Sequence, residues 1–388
     1  MRELHFLRTG RLAWQPQEPP SLLDADTAIV RPFLAARCDG DTLPLHRPVS
    51  RALQAGIAAG LVDPVVAAIC GPVPFRGPFC IGHECVAEVT AVGANVRTIS
   101  VGQTVIVPWA VSCGTCPTCR RGLTSKCDTT TAGRTLAAYG FGPACGPYGG
   151  MIADAVTVPH ADHMLTPLPP GVPPLRAAAA SDNLADAWRT VVPPLAERPG
   201  GRVLVLGGGA KSIGLYAAGL AVAHGAQTVD YLDDDPARRR IAENLGARTG
   251  PLAGAGPAGR YDIAVEATSR PRGLRRAVRA LAPGGICTAV GYYLATGTRV
   301  PLMHMYTTDI TLRLGVSHPR AVLAELLAFL DHTSFPAENL NTLVADWDDA
   351  PHAYPARTTK LVLQRDPLRA RDCKTNGVTP DQGAASGV

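Results

Sequence analysis

Short apolar strands alternate with helices from Asn183 onward, and this pattern constrains the fold of the chain more than any other feature. Strands, turns and helices recur there at spacings typical of βαβ units. Such units build an α/β fold, in which a doubly wound parallel sheet carries helices on both faces. The pattern predicts helices at 183–196, 212–224, 236–245, 273–281 and 320–330, and strands at 203–206, 229–232, 261–265, 286–290 and 359–363.

The first part of the chain lacks this alternation. Segments 24–38 and 84–108 are rich in β-branched residues and are punctuated by turn residues, which predicts strands. We therefore expect an antiparallel, barrel-like β unit there. Between these segments, 48–70 is alanine-rich and indicates an inserted helical hairpin. The tail, 365–388, is polar and is expected to be partly disordered.

Composition argues against several functional classes. The net charge is +5 over 388 residues, the basic residues are scattered, and aromatic residues make up only 5%. These values predict neither a basic stripe nor a base-stacking platform, so we expect no nucleic-acid partner. The apolar stretches are too short to span a bilayer, so we expect no membrane partner. Residues 1–20 lack the pattern of a signal peptide, which favours a cytoplasmic location.

Four of the eleven cysteines lie within fifteen positions, as Cys113, Cys116, Cys119 and Cys127. In an intracellular protein such a cluster indicates a metal site rather than disulfides. Tetrahedral zinc is bound by four thiolates at about 2.3 Å, and close spacing lets one loop surround the ion. Four protein ligands leave no open coordination position, so this zinc is predicted to be structural.

A glycine-rich turn follows the strand at 203–206 and opens a helix, which is the context of a dinucleotide pyrophosphate site. The match to G-x-G-x-x-G is imperfect and indicates a slightly enlarged loop, in which Gly214 lets helix and strand pack closely. Asp233 lies 19 residues after Gly214, near the spacing of a ribose-binding carboxylate, and favours NAD over NADP. Arg238 is placed to stack on adenine, although the basic run 238–240 is an alternative contact for a phosphate. The predicted cofactor-binding residues are Gly207, Gly208, Gly209, Ser212, Ile213, Gly214, Asp233 and Arg238.

The positions of Cys38 and His83 relative to these motifs make both residues candidates for a metal site. Cys38 lies in Arg-Cys-Asp-Gly-Asp, and His83 lies in Gly-His-Glu. Four features follow one another along the chain. They are a Cys followed three residues later by Asp, then Gly-His-Glu, then the four-cysteine lobe, and last a glycine-rich dinucleotide fold. In this order, over about residues 25–365, the sequence resembles the zinc-containing medium-chain alcohol dehydrogenases.

The resemblance implies a catalytic zinc held by Cys38, His83 and a third residue just before the first helix of the cofactor domain. Asp182 occupies that place, and its alternative role is a helix N-cap. Glu84 would be an adjacent carboxylate able to approach the metal, and Asp41 would orient His83. Three protein ligands would leave the open position that a catalytic zinc needs.

Two departures from the family pattern concern this site. Gly40 stands where the family usually has a Ser or Thr hydroxyl that relays the proton outward. Thr42, His46 or a chain of water molecules would have to replace it, and Thr42 and water are favoured. The first two ligand positions are also 45 residues apart, about twice the usual separation, because of a helical insertion at 44–78. The insertion would lie near the substrate cleft, so the family's substrate preferences are not carried over.

The resemblance further implies two domains. A GroES-like catalytic domain would comprise 1–181 and 320–388 and carry the zinc lobe at 109–130, and a Rossmann domain would comprise 182–319. A homodimer or homotetramer is expected, with 300–314 as a pairing segment.

The predicted activity is NAD-dependent interconversion of an alcohol and its aldehyde or ketone, with two zinc ions per chain and one zinc activating the substrate oxygen. Two alternatives stay open: a zinc-independent, NADPH-dependent reductase of the same fold, and a non-catalytic, zinc-stabilised binding protein. No motif identifies the alcohol.

Overall fold

The computed structural model describes residues 1–253 and 261–368, so most of the tail predicted to be disordered lies outside the described residues. Within those ranges the strands form three sheets. The strands are β1 (Arg2–Arg8), β2 (Arg11–Pro16), β3 (Ala28–Ala36), β4 (Phe79–Cys80), β5 (Glu84–Val92), β6 (Thr104–Val107), β7 (Val156–Val158), β8 (Thr166–Pro167), β9 (Arg202–Leu206), β10 (Thr228–Leu232), β11 (Arg248–Gly250), β12 (Tyr261–Glu266), β13 (Leu281–Ala289), β14 (Thr311–Arg313), β15 (Leu343–Asp346) and β16 (Leu361–Gln364).

Helices cover the sheets and fill the segments between them. The α-helices are α1 (Thr42–His46), α2 (Ser50–Ala58), α3 (Val65–Cys70), α4 (Pro117–Arg120), α5 (Asp128–Thr131), α6 (Ala161–Met164), α7 (Asn183–Glu197), α8 (Lys211–Ala223), α9 (Pro236–Asn244), α10 (Pro271–Arg279), α11 (Leu302–Thr307), α12 (Pro319–His332) and α13 (Ala350–Ala353). Helices α2 and α3 lie in the segment where inserted helices were predicted. In the described ranges, no helix is long and apolar enough to cross a membrane.

The second half of the chain contains a parallel sheet in the order β11-β10-β9-β12-β13-β14, which confirms the predicted doubly wound fold. Its strands are apolar because helices cover both faces, so almost every side chain of Arg202–Leu206 is buried. The order reverses beside β9, and ligands of such sheets bind at the carboxyl ends of the strands at this point. The turns after β9, β10, β12 and β13 therefore meet at one edge.

The largely antiparallel sheet predicted for the first half has the order β15-β16-β3-β5-β6-β8, with β7 also paired to β3. Among the strands that the structure describes in this sheet, only the pair β15–β16 runs parallel. Its two C-terminal strands return from the far end of the chain, and Leu363 of β16 lies opposite Ala35 of β3. Strands β1, β2 and β4 form a separate small sheet. The return of β16 brings Lys360 next to the start of β5. The exact domain boundaries at 181/182 and 319/320 stay predictions.

Candidate metal and cofactor site

Three side chains from distant parts of the chain meet at the base of the antiparallel sheet. Cys38 follows β3, His83 immediately precedes β5, and Asp182 immediately precedes α7. One ligand atom from each lies within 4.8 Å of the others, and His83 Nε2 is 3.6 Å from Asp182 Oδ2. The structure therefore brings together the three residues predicted as ligands of the catalytic zinc.

The imidazole of His83 is buried without a hydrogen-bond partner. Its side chain is only 2% exposed, and neither Nδ1 nor Nε2 is bonded to any group in the described part of the chain. A buried polar atom left without a partner costs about 1–3 kcal/mol, so such atoms in native proteins call for an explanation. A metal ion bound at the imidazole would supply the missing partner.

Asp182 does not act as a helix N-cap, although it occupies the N-cap position of α7. Its carboxylate accepts no hydrogen bond from the helix backbone. Instead, Ser317 Oγ donates to Oδ1 at 2.9 Å, and the side-chain amide of Asn183 donates to Oδ2 at 2.9 Å. The carboxylate thus points to Cys38 and His83, and the capping alternative is wrong for this side chain.

Electrostatics at the cluster favours a cation. Burial, followed by the negative charge of Asp182, raises the pKa of the Cys38 thiol well above its ordinary value. Burial lowers the pKa of His83, but the carboxylates around it, chiefly Asp41 and Asp182, outweigh burial and raise it to about 9. A divalent ion would neutralise the excess negative charge. Thiolate, imidazole and carboxylate are ligands that zinc prefers, and three of them leave one coordination position free, so these residues fit a catalytic zinc.

Glu84 lies beside the cluster, and its charge is among those that raise the pKa values of Cys38 and His83. Its carboxylate is not one of the three clustered ligand groups, and its approach to the metal stays a prediction. One oxygen accepts the Asn183 backbone N–H at 2.8 Å, and the other pairs with the Lys360 ammonium. Burial raises the pKa of Glu84 to about 7 although Lys360 opposes that shift.

Asp41 lies beside His83 but does not orient it through a hydrogen bond. Asp41 Oδ1 is 3.9 Å from His83 Nδ1, too far for a hydrogen bond, and its other oxygen accepts the Tyr354 hydroxyl at 2.7 Å. The Thr42 hydroxyl donates to the Asp39 carbonyl at 2.7 Å in the first turn of α1, and Thr42 lines the cavity at the glycine-rich turn, so its role as a proton relay stays a prediction.

A tyrosine hydroxyl lies where the family's relay hydroxyl is missing. A Cβ atom built on Gly40 would be 3.1 Å from Tyr292 Oη, so this phenol fills the space beside Gly40. Tyr292 follows β13, and it lines the cavity that contains Cys38 and Asp182. Sequence reasoning missed it because nothing in the local sequence marks it.

The four lobe cysteines form the second metal cluster, with their sulfur atoms within 4.8 Å of one another. Backbone N–H groups point at these sulfurs: the amides of Cys116 and Cys119 donate to Cys113 Sγ and Cys116 Sγ, each at 3.4 Å. Burial raises the pKa of Cys113, but hydrogen bonds from Thr115, Thr129 and two amides outweigh it and lower the pKa to about 5. A loop that stabilises thiolates in this way fits a structural zinc.

The glycine-rich turn between β9 and α8 borders a cavity of about 540 Å³. A Cβ on Gly207 would lie 2.4 Å from Tyr231 Oη, and one on Gly214 would lie 3.3 Å from Ala267 Cβ. These glycines therefore permit close approach of the turn to β10 and of α8 to the sheet, as predicted for Gly214. Gly208, Gly209, Asp233 and Arg238 line the cavity.

Ser212 does not line this cavity, and Ile213 lines the adjoining cavity that contains Cys38 and Asp182, so their contacts with the cofactor stay predictions. Asp39 Oδ2 accepts the Ser212 backbone N–H at 2.7 Å and its hydroxyl at 2.9 Å, and the Ile213 N–H points to the same oxygen. Asp39 thus caps α8 from outside the helix. Further basic side chains, which the sequence motifs do not indicate as cofactor contacts, line the cavity together with Arg238. They are Arg47, Lys211, Arg270 and Arg357.

Asp233 lies at the predicted position but is paired with a neighbour. The Arg238 guanidinium donates to both of its carboxylate oxygens at 2.7 Å, and the Tyr231 hydroxyl donates to Oδ2 at the same distance. Burial raises the pKa of Asp233, but these hydrogen bonds outweigh it and lower the pKa. Arg238 is therefore held beside Asp233 in the cavity wall, and its stacking on adenine stays a prediction.

The comparisons with known proteins agree with this architecture. A family model, the alcohol dehydrogenase GroES-like domain, matches residues 57–170. A probable zinc-binding alcohol dehydrogenase of Mycobacterium tuberculosis is 31% identical over 294 residues, 73% of this chain and 72% of that protein. A glutathione-independent formaldehyde dehydrogenase of Pseudomonas aeruginosa is 35% identical over 170 residues, 43% of this chain and 42% of that protein. The solved alcohol dehydrogenase TADH from Thermus sp. ATN1 has a TM-score of 0.79 and 28% identity, and the match covers 94% of this chain and 99% of that one.

Proposed function

The chain belongs to the zinc-binding alcohol dehydrogenase family, and from this premise we propose that it interconverts an alcohol and its aldehyde or ketone with NAD. Oxidoreductase activity is the property common to its named relatives. The choice of NAD, the number of zinc ions and the reaction on an alcohol are the parts that we propose for this chain.

One observation carries the proposal: the cavity at the glycine-rich turn directly adjoins the cavity at the metal cluster. The first contains Gly208 and Asp233, and the second, of about 440 Å³, contains Cys38 and Asp182. The two share several wall residues, namely Asp39, Gly40, Gly209, Ser269 and Tyr292. A dinucleotide bound at the turn can therefore extend towards the three candidate zinc ligands, as hydride transfer at that cluster requires.

Different residues of the site would bind the metal, orient its ligands and carry the proton. Cys38, His83 and Asp182 would hold a zinc ion, which supplies a Lewis acid for the substrate oxygen, and bound NAD supplies the hydride acceptor. Ser317 fixes the orientation of the Asp182 carboxylate through its hydrogen bond. Tyr292 presents its hydroxyl in the same cavity, where it would hydrogen-bond the substrate and take over the proton path that Gly40 cannot supply.

Charges in the larger cavity favour an unphosphorylated dinucleotide. Its basic side chains suit the diphosphate, since guanidinium groups bind phosphate oxygens in pairs. At the end of β10, however, the buried Asp233 carboxylate would repel a 2′-phosphate and would accept a ribose hydroxyl instead. We therefore propose NAD as the cofactor.

Asp233→Ser is expected to raise the ratio of kcat/KM with NADP to kcat/KM with NAD by about 10–100-fold, the effect of one or two charged hydrogen bonds. The substitution removes the repelling carboxylate and one of the two carboxylates that hold Arg238, the other being Asp235, so the guanidinium can turn to a 2′-phosphate. Initial rates with both cofactors measure the ratio. Glu243→Ser is the control, because this carboxylate on α9 accepts the Thr249 hydroxyl and does not contact Arg238, so the ratio should not change. An unchanged ratio in Asp233→Ser would contradict the assignment.

The proposed function is tested by metal analysis and by turnover of a panel of alcohols, followed through nicotinamide absorbance. We expect two zinc ions per chain and reduction of NAD by at least one alcohol. One zinc ion with reduction of an activated alkene by NADPH would instead indicate the zinc-independent reductase. One zinc ion without turnover of any substrate would indicate the binding protein.

We also propose that the protein assembles as a homodimer or homotetramer through the edge of its parallel sheet. Strand β14 is the edge strand, and the segment before it exposes apolar side chains. Leu302, Met303 and Tyr306 are 67%, 71% and 79% exposed. Patches of this kind mark protein interfaces. Sedimentation of the full chain would measure the assembly state.

A further inference from the structure

The inserted helices enclose a second chamber beside the metal cluster. It has a volume of about 220 Å³, and His83 lines it directly. The chamber and the 440 Å³ cavity share five wall residues, Gly40, Ile69, Phe141, Tyr292 and Tyr293. A molecule whose oxygen lies at the cluster can therefore extend its remaining atoms into this chamber.

Most of the chamber wall is apolar. Helix α3 contributes Val66 and Ile69, and the segment after it contributes Phe75. On the opposite side, Phe141 packs on the His83 ring, with ring centroids 4.7 Å apart. Each Å² of apolar ligand surface that is buried against this wall would favour binding by about 25 cal/mol.

The polar groups on the wall are largely committed to other partners. Asp63 accepts the Val65 backbone N–H at 3.0 Å, Asp41 accepts the Tyr354 hydroxyl, and the Tyr293 hydroxyl donates to Glu266. Burial raises the pKa of the Cys70 thiol to about 12, so that group is a neutral, weak donor. Apart from the Tyr292 hydroxyl and the second oxygens of Asp41 and Asp63, a ligand hydroxyl placed in the chamber would find few replacements for the water that it loses.

The insertion is attached to the cofactor side of the cleft, so this wall is fixed. Val62 forms an antiparallel bridge with Ala295, which lies between β13 and α11. The Asp63 N–H donates to the Leu294 carbonyl at 2.9 Å, and the Thr296 N–H donates to the Leu61 carbonyl at 3.1 Å. These backbone bonds hold α3 over the chamber.

We propose that the insertion makes this protein selective for apolar alcohols and carbonyl compounds, whose aliphatic or aromatic portion occupies the chamber while their oxygen lies at the metal cluster. Val66, Ile69 and Phe75 are the residues that determine this specificity. The inference rests on the proposed dehydrogenase function, because it assigns the substrate class of that same site. Polyols, which carry several hydroxyl groups, are the excluded class.

The first test measures kcat/KM for ethanol, 1-butanol, 1-hexanol, glycerol and sorbitol with NAD and the zinc-loaded full chain. Burial of one methylene contributes about 0.8 kcal/mol, so kcat/KM should rise about fourfold for each added methylene until the chamber is full. Glycerol and sorbitol should fall below ethanol. A preference for sorbitol or glycerol over 1-hexanol would overturn the proposal while leaving the dehydrogenase function intact.

Two variants test whether the insertion sets this preference. Val66→Phe fills the chamber and should lower the ratio of kcat/KM for 1-hexanol to kcat/KM for ethanol more than tenfold. Phe75→Ala enlarges the chamber and should move the optimum to longer alcohols. Ala68→Phe is the control, because Ala68 is exposed on the same helix and should leave the series unchanged. Equal losses with ethanol and 1-hexanol in Val66→Phe would contradict a role in specificity.

A binding measurement separates this inference from the proposed function. Saturation-transfer NMR on the zinc-loaded chain without NAD should detect 1-hexanol but not sorbitol, and Val66→Phe should weaken the 1-hexanol signal. If no alcohol is oxidised but this binding pattern is found, the dehydrogenase function fails and the apolar chamber stands. If sorbitol binds and 1-hexanol does not, the chamber proposal fails whatever the activity.

Discussion

Replacing Cys38 with alanine is expected to lower the zinc content from two ions per chain to one and to reduce kcat/KM for alcohol oxidation by about 10³–10⁴-fold. The thiolate is one of three ligands, and the remaining imidazole and carboxylate hold zinc weakly. Without the ion, the substrate oxygen loses the Lewis acid that stabilises its developing negative charge. Metal analysis and initial rates with NAD on the same preparations measure both effects.

Cys85→Ala is the matched control for Cys38→Ala. Cys85 is also a buried free thiol, it lies in β5 next to Glu84, and its removal takes the same atoms from the interior. It should reduce stability modestly but keep both zinc ions and the activity. If Cys38→Ala retained two zinc ions, or if Cys85→Ala lost zinc equally, the assignment of Cys38 as a ligand would be wrong.

Much of the fold is predictable because its signals are local. Apolar strands such as 203–206 and 229–232 are buried on both faces, so their composition alone marks them, and the structure contains β9 and β10 at these places. The short edge strands β11, β14 and β15 were missed. They have three or four residues each and are partly exposed, so their sequence carries little pattern.

The candidate site also has a part that the sequence predicts and a part that it does not. Cys38, His83 and Asp182 were predicted from their residue types and their order, and the structure brings them together. The hydrogen bond predicted from Asp41 to His83 is not formed, because the direction of a side chain depends on its local backbone and on its partners.

Three further contributions could not be predicted at all. Tyr292 lies beside Gly40, Asp39 caps α8, and Lys360 pairs with Glu84 only after distant segments have folded together. Each depends on a tertiary contact that no sequence motif encodes.

Lys360 is the residue whose replacement should most reduce stability. Its side chain is 0% exposed, as is that of its partner Glu84. The ammonium donates to the Arg37 carbonyl at 3.0 Å, to Asn183 Oδ1 at 2.8 Å and to the Glu84 carboxylate. This one group therefore ties β16 to the end of β3, to the start of β5 and to α7, beside the metal ligands.

Lys360→Met should lower the free energy of unfolding by about 3–5 kcal/mol, because Glu84 loses its counter-charge and must stay unpaired or take up a proton, and because the Arg37 carbonyl and Asn183 Oδ1 lose their donor. Denaturant unfolding at a fixed, saturating zinc concentration measures the change, since bound metal shifts apparent stability. Lys126→Met is the matched control, because Lys126 is exposed and its loss should cost no more than about 0.5 kcal/mol.

The double variant Lys360→Met/Glu84→Gln distinguishes an unpaired charge from lost packing. If the cost of Lys360→Met comes from the unpaired carboxylate, neutralising Glu84 should recover at least half of it, and the two substitutions will not be additive. If the cost comes from the shape of the lysine stem, the double variant should be no more stable than Lys360→Met alone. Recovery would show that the two residues act as a charge pair, which holds β16 and β5 together where His83 and Asp182 meet.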